Sequence, residues 1–305
     1  MAKLKSLLSD QHNFILVAAI LLGLLGNPLS QLFKSWIIPL LVLAMTISLT
    51  RLETKHFYNL KSIIIPSLLV LLFNFIVLGG VNISLGHLLS DDTLLRAGFV
   101  VLATVPPSMT IPPFSYNLGS NVTLAYLGTT FGYLASIVIL PVSLFMFFGH
   151  GYDNQGLFIL IGQIIVLPLV LSRFYRKTLL YKKTQASGSK IINWCLAIVI
   201  FSLIGINRDT LFAFPEYSGV SLLVAFITIF LLGELIYRMS LALKYEHSEA
   251  IVFMLFGTMK KWAGASAITY MLFGPIAAIP PITAMIVGFI FYFWLSIRFV
   301  RKESP

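Results

Sequence analysis

The sequence predicts an all-α integral membrane protein of ten transmembrane helices, arranged as two inverted five-helix repeats. Composition, the spacing of apolar runs and the placement of basic residues all point that way. Of 305 residues, 58% are hydrophobic and only 10% charged, with a mean hydropathy of +0.93, so water cannot solvate most of the surface. Apolar runs of about 20 residues, long enough to cross a hydrocarbon core of roughly 30 Å, recur from Phe14 to Val300 with little left over for a soluble domain.

Taken in order, the predicted spans are 13–29, 33–50, 62–81, 92–116, 120–148, 156–172, 190–207, 217–242, 248–274 and 276–299. The first follows a basic head but no small-x-small cleavage site, so it is read as an uncleaved transmembrane helix. With the N-terminus inside, the inner segments hold Lys3, Lys5, Arg51, Lys55, Lys61, Arg173, Arg176, Lys177, Lys182, Lys183, Lys190, Arg238, Lys244, Arg298, Arg301 and Lys302. The outer segments hold only Lys34, Arg96 and Arg208. Because Lys and Arg collect in cytoplasmic loops, this asymmetry places both termini in the cytoplasm. The net charge of +10 is then a topology signal and a contact with anionic headgroups of the lipid bilayer; nucleic acid is not an expected partner. The expected location is a prokaryotic cytoplasmic membrane.

The basic stretch 173–189 is expected to be a cytoplasmic loop dividing one domain, 1–305, into halves at about 13–172 and 190–300. Five helices on each side make the halves inverted, a layout found in many secondary transporters. The fourth span of each half is interrupted and polar. In "ATVPPSMTIPPFSYNLGSN", Pro106, Pro107, Pro112 and Pro113 remove backbone donors that a continuous helix needs. In "FGTMKKWAGAS", Gly257 and Gly264 flank Lys260 and Lys261. Irregular backbone at membrane depth is tolerated only where protein buries it or it lines a cavity, so the two interruptions are expected to meet.

The lysine pair lies about a dozen residues from Glu249 and from Pro275, nearly 20 Å at about 1.5 Å per residue, whereas a Lys stem snorkels only about 6 Å. A central Lys costs about 2.5–3.5 kcal/mol on insertion, and an ionisable residue at such depth is a functional residue by default. The candidate substrate or ion-site residues are therefore Lys260, Lys261 and Thr258 on the second interruption, and Ser108, Thr110, Pro112, Ser115 and Asn117 on the first. Asn74, Thr129 and Thr130, polar and mid-span, join them. Against these stand structural readings: Glu234 and Arg238, four apart, suit a helix-surface salt bridge better than a proton relay, and Gly128 with Gly132 suits a helix contact. The five histidines never fall at metal-ligand spacing, and the single Cys195 cannot form an internal disulfide. No phosphate loop, nucleophile elbow or H-E-x-x-H helix is present, so neither an enzyme nor a cofactor is expected.

The chain resembles the bile acid:sodium symporter family and, more distantly, the auxin efflux carriers. The stretches that carry the likeness are "MTISLTRLETKHFYNLKS", "ATVPP", "GSNVTLAYLGTTFGYLASIVILPV", "IIVLPLVLSR" and, most specifically, "ALKYEHSEAIVFMLFGTMKKWAGASAI" followed by "GPIAAIPPITAMIVGFIFYFW". The resemblance implies a panel and a core domain, with broken helices four and nine crossing behind the substrate cavity. It also exposes a departure. Where the family places a Ser-Asn pair in helix four, this chain has Ile111 and Pro112; where it places an acidic residue and a glutamine in helix nine, this chain has Phe256 and Lys260. Asn74 matches a family glutamine and Thr129 a hydroxyl. The resemblance thus implies a secondary active transporter of a small organic anion whose sodium site is degraded, with Lys260 standing in for the ion. The alternatives are a proton-coupled exchanger or exporter, in which protons replace sodium and a lysine gives up its proton each cycle, and a transport-inactive sensor or assembly subunit on the same fold.

Overall fold

The structure, a computed structural model, describes residues 11–26, 28–50, 65, 68–148 and 154–299. Lys3, Lys5, Arg51, Lys55, Lys61, Arg301, Lys302, His56 and His150, and the family-like stretch beyond Thr50, lie outside them. The described residues are helical and contain no β-strand. In chain order the principal helices are α1 (Gln11–Leu24), α2 (Ile37–Leu49), α3 (Leu68–Leu89), α4 (Thr93–Thr104), α5 (Ile111–Asn117) and α6 (Val122–Phe148). Then follow α7 (Phe158–Arg176), α8 (Leu179–Thr184), α9 (Gly188–Ala213), α10 (Pro215–Ala242), α11 (His247–Phe256), α12 (Trp262–Phe273) and α13 (Ile279–Phe299).

By length and composition, six helical runs among the described residues are apolar enough to cross a membrane: α3, α6, α7, Leu179–Ala213, α10 and Ile276–Phe299. Four shorter apolar helices of 10–17 residues, Phe14–Leu24, Lys34–Leu49, Thr93–Thr104 and His247–Phe256, fall on the other predicted spans. Two boundaries differ instructively from the sequence reading. The stretch 173–189 is mostly helical: Arg173 and Arg176 form the last turn of α7, and α8 is capped by the Thr178 hydroxyl, which accepts from the Tyr181 amide. The third span runs on to Leu89 instead of ending near 81. Its glycines, which argue for an end by propensity, are contact points. A Cβ on Gly79 would lie 3.1 Å from the Ala103 carbonyl oxygen and one on Gly86 would lie 2.5 Å from the Phe99 ring, so packing on α4 outweighs helix propensity.

The proline pairs do different work. After Thr104 the chain turns extended at Val105 (φ −62°, ψ 154°), as the residue before Pro106 must. Pro107 removes a further donor. Pro112 and Pro113, expected to break the helix as well, instead occupy the first turn of α5, where a missing N–H costs nothing. The second interruption runs from Gly257 to Lys261, the latter non-helical at φ −76°, ψ 68°.

Packing divides the helices into two groups. In one, α9 lies along α1 and α2, and α2 lies along α7; in the other, α3 packs on α4, α10 on α13 and α11, and α12 on α4 and α13. Within the second group backbones approach closely. A Cβ on Gly98 would sit 2.2 Å from the Ala277 carbonyl oxygen, one on Gly132 2.4 Å from the Pro107 ring, and one on Gly288 2.0 Å from the Trp262 ring. The small-residue reading of Gly128 and Gly132 as a helix contact therefore holds, Gly128 receiving Val70 and the tip of Phe256.

Candidate functional site

The two interruptions meet. Pro107 and Lys260 form an isolated antiparallel bridge: the Lys261 amide donates to the Pro106 carbonyl at 3.0 Å and the Ser108 amide to the Met259 carbonyl at 3.4 Å. Backbone that could not pair within its own helix is thus paired across the crossing, which satisfies groups that are costly to leave bare in an apolar interior.

Side chains complete the pairing. Lys260 is 1% exposed, and its ammonium donates to the carbonyls of Ala103 at 2.7 Å and Val105 at 3.2 Å. Its Nζ also lies 4.3 Å from the centroid of the Phe75 ring. A cation at the C-terminal end of α4 meets the negative end of that helix, and the ring face adds a cation–π contact. Asn74 treats the other interruption in the same way: fully buried, it donates from Nδ2 to the carbonyls of Phe256 at 2.7 Å and Met259 at 3.3 Å. Asn74 and Phe75 both stand on a π-helical segment, Leu72–Leu78, a local widening that frequently marks functional positions. Ammonium and amide together cap the ends of α4 and α11.

Lys261 is placed quite differently. It is partly buried; its ammonium contacts Met45 Sδ and the Ile164 carbonyl at 3.4 Å, and lies 5.8 Å from the centroid of the Tyr133 ring. A thioether is a weak acceptor and 3.4 Å is a long hydrogen bond, so this charge is poorly compensated where Lys260 is well compensated. Its stem folds against Gly264, where a Cβ would come within 3.0 Å of Cδ and Cε.

Lys261 lines a cavity of about 380 Å³ between the two helix groups. One wall comes from α1, α2 and α9, with Leu16, Met45, Ser48, Ser189 and Asn193 among its residues; the other comes from the interruptions, α6 and α13. The lining is mostly apolar, and no Asp or Glu belongs to it among the described residues. An apolar cavity with a few polar groups and one under-paired cation suits an organic anion.

Of the residues expected at the site, Lys260, Lys261, Ser108, Thr110, Pro112 and Thr129 line this cavity. Ser108 and Thr110 bond to each other at 2.7 Å, and Thr129 bonds back to the Ala125 carbonyl at 2.7 Å. The remaining expected residues lie elsewhere. Asn74 stands behind the crossing. Thr258 bonds to the Met254 carbonyl at 2.9 Å and turns its methyl toward Gly233. Thr130 bonds to the Tyr126 carbonyl at 2.9 Å. Ser115 is fully buried, and Asn117 is exposed, donating to the Tyr292 hydroxyl at 3.2 Å. Glu234 and Arg238 form the expected i,i+4 pair at 2.7 Å, joined by Arg298 of α13, away from the cavity lining. Sequence reasoning missed Met45, Phe75, Asn193 and Tyr133. For Tyr133 a signal existed: it stands one helical turn after Thr129, on the same face of α6.

The sequence profile of the SBF-like CPA transporter family (DUF4137) matches residues 14–293, reaching from α1 into α13. Comparison with curated proteins returns no match.

Proposed function

The chain belongs to the SBF-like CPA transporter family, and from that premise we propose that it is a secondary transporter of a small organic anion, working by alternating access in a cytoplasmic membrane. In this reading the six long helices and four shorter ones make ten spans in two inverted halves. Segments α4 and α5 form one interrupted span, α11 and α12 the other, and the group containing α1, α2, α7 and α9 moves against the rest. The residues Arg173, Arg176, Lys177, Lys182, Lys183 and Lys190 mark the inner side. Ser189, beside Lys190, lines the cavity, so in this reading the cavity reaches toward the inner end of α9.

The observation that carries the proposal is Lys261: a cation in an apolar cavity, with a thioether, one distant carbonyl and the Tyr133 ring for partners. Burying a charge without a strong partner is costly, and an anionic substrate supplies that partner only when bound. Lys260 has the complementary role. Its ammonium already holds the carbonyls of the crossing, as a bound cation would, and Phe256 presents an apolar ring packed on Gly128. Coupling to sodium is accordingly not needed to hold the crossing together.

Purified protein in detergent, screened against small organic anions by thermal shift, tests the anion reading, because a ligand of the folded state raises the apparent melting temperature. Stabilisation by at least one anion in the unmodified protein and by none in Lys261→Met is expected. Equal stabilisation of both proteins would remove Lys261 from the site.

A further inference from the structure

We propose that Tyr133 is the second donor of the anion subsite, and that its hydroxyl, together with the Lys261 ammonium, selects an oxyanion head group such as a carboxylate or sulfonate. This rests on the reading of the cavity as an anion site and adds to it a residue and a chemical class.

Tyr133 lines the cavity, is 1% exposed, and its hydroxyl is buried with no hydrogen-bond partner among the described residues. Buried hydroxyls are nearly always paired, and a tyrosine in an interior ordinarily finds a partner for its O–H. A phenylalanine would fill the same volume without that cost. The ring stands against the under-compensated ammonium of Lys261, with Nζ 5.8 Å from its centroid, so a residue with an unsatisfied hydroxyl and a weakly satisfied cation are neighbours in the cavity lining. A carboxylate offers two oxygens and about four acceptor sites, enough to accept from both at once, and hydrogen bonds between an ionised acceptor and fixed donors are the strong ones. Thr129, one turn earlier on α6, gives its proton to the Ala125 carbonyl and is not available in the same way. A neutral analogue such as an amide brings no charge for Lys261.

The variant Tyr133→Phe is a clean probe because the hydroxyl has no partner to lose among the described residues. Its ligand-free melting temperature should equal or exceed that of the unmodified protein. Binding of a graded set of arylalkyl carboxylates, beginning with 4-phenylbutyrate, and of their matched primary amides is measured by thermal shift and titration calorimetry. Expected is carboxylate binding in the unmodified protein, weakened at least about tenfold in Tyr133→Phe, or about 1.4 kcal/mol, with the amides bound weakly and equally by both. If the unmodified protein binds carboxylates and Tyr133→Phe binds them equally well, the Tyr133 inference fails while the anion reading stands. If the unmodified protein binds none of these carboxylates, the inference fails; the anion reading fails as well only if no anion of the broader screen stabilises the protein. A lower ligand-free melting temperature in Tyr133→Phe would show that the hydroxyl has a structural role, and would also overturn the inference.

Discussion

The ammonium of Lys260 donates to the carbonyl oxygen of Ala103 at 2.7 Å, across 157 residues of sequence. One side chain thereby ties the second interruption to the end of the helix before the first. Neighbouring Lys261, pointing elsewhere, faces the cavity. Under the proposed function, these two adjacent lysines divide into a structural cation and one that receives a ligand.

That division predicts opposite mutational profiles. Lys260→Met retains bulk but strips the donor from the Ala103 and Val105 carbonyls, and a buried acceptor left bare costs about 1–3 kcal/mol. Thermal unfolding in detergent should show a clear loss of stability. Lys261→Met gives up a contact to Met45 Sδ, a long bond to Ile164 and a distant cation–π contact with Tyr133, and its melting temperature should be close to that of the unmodified protein. The reverse ranking would mean that the two roles are exchanged.

Asn74→Leu should resemble Lys260→Met in direction, since it removes the donor from the Phe256 and Met259 carbonyls at similar volume. The expected loss is about 1–3 kcal/mol by chemical or thermal unfolding. A variant as stable as the parent would show that those carbonyls need no cap.

Close packing gives a further prediction. Gly132→Ala places a Cβ 2.4 Å from the Pro107 ring, and the ring is held at the crossing by the bridge to Lys260, so overpacking should cost about 1–3 kcal/mol. Gly219→Ala, in α10 with nothing within 4 Å, is the control. Helix propensity alone should stabilise it, by up to about 1 kcal/mol. Melting temperatures of the two variants should move in opposite directions.

Much of this was legible in the sequence for stated reasons. Hydropathy located the apolar runs, Pro106 and Pro107 forced the first interruption, and the depth of Lys260 and Lys261 exceeded what snorkelling explains. What each lysine touches was not legible, because neighbouring positions point about 100° apart on a helix and the local backbone is not helical at all. Nor were Met45 and the Ile164 carbonyl, which reach Lys261 from helices 216 and 97 residues away in sequence. Thr258 looked like a site residue because it adjoins the lysines, yet its methyl fills the space over Gly233. The π-helical segment carrying Asn74 has no composition signal of its own. The third span runs past 81 to Leu89, where packing of Gly79 and Gly86 against α4 keeps the helix going.

Glu234 offers a check on the more ordinary reading of a membrane carboxylate. It pairs with Arg238 at 2.7 Å and with Arg298, and its side chain is 24% exposed. Glu234→Gln should cost no more than about 1 kcal/mol, less at high salt, and should leave anion binding unchanged in calorimetry. Loss of binding would place this cluster in the transport path.

The most direct test of the central claim compares anion-induced stabilisation of the unmodified protein in sodium chloride and in equimolar choline chloride. With Lys260 holding the crossing and Lys261 receiving the substrate, the shift in melting temperature should be the same in both salts and absent in Lys261→Met. Stabilisation that requires sodium and vanishes in choline would contradict the account, because it would mean that a cation site survives at the crossing beside Lys260.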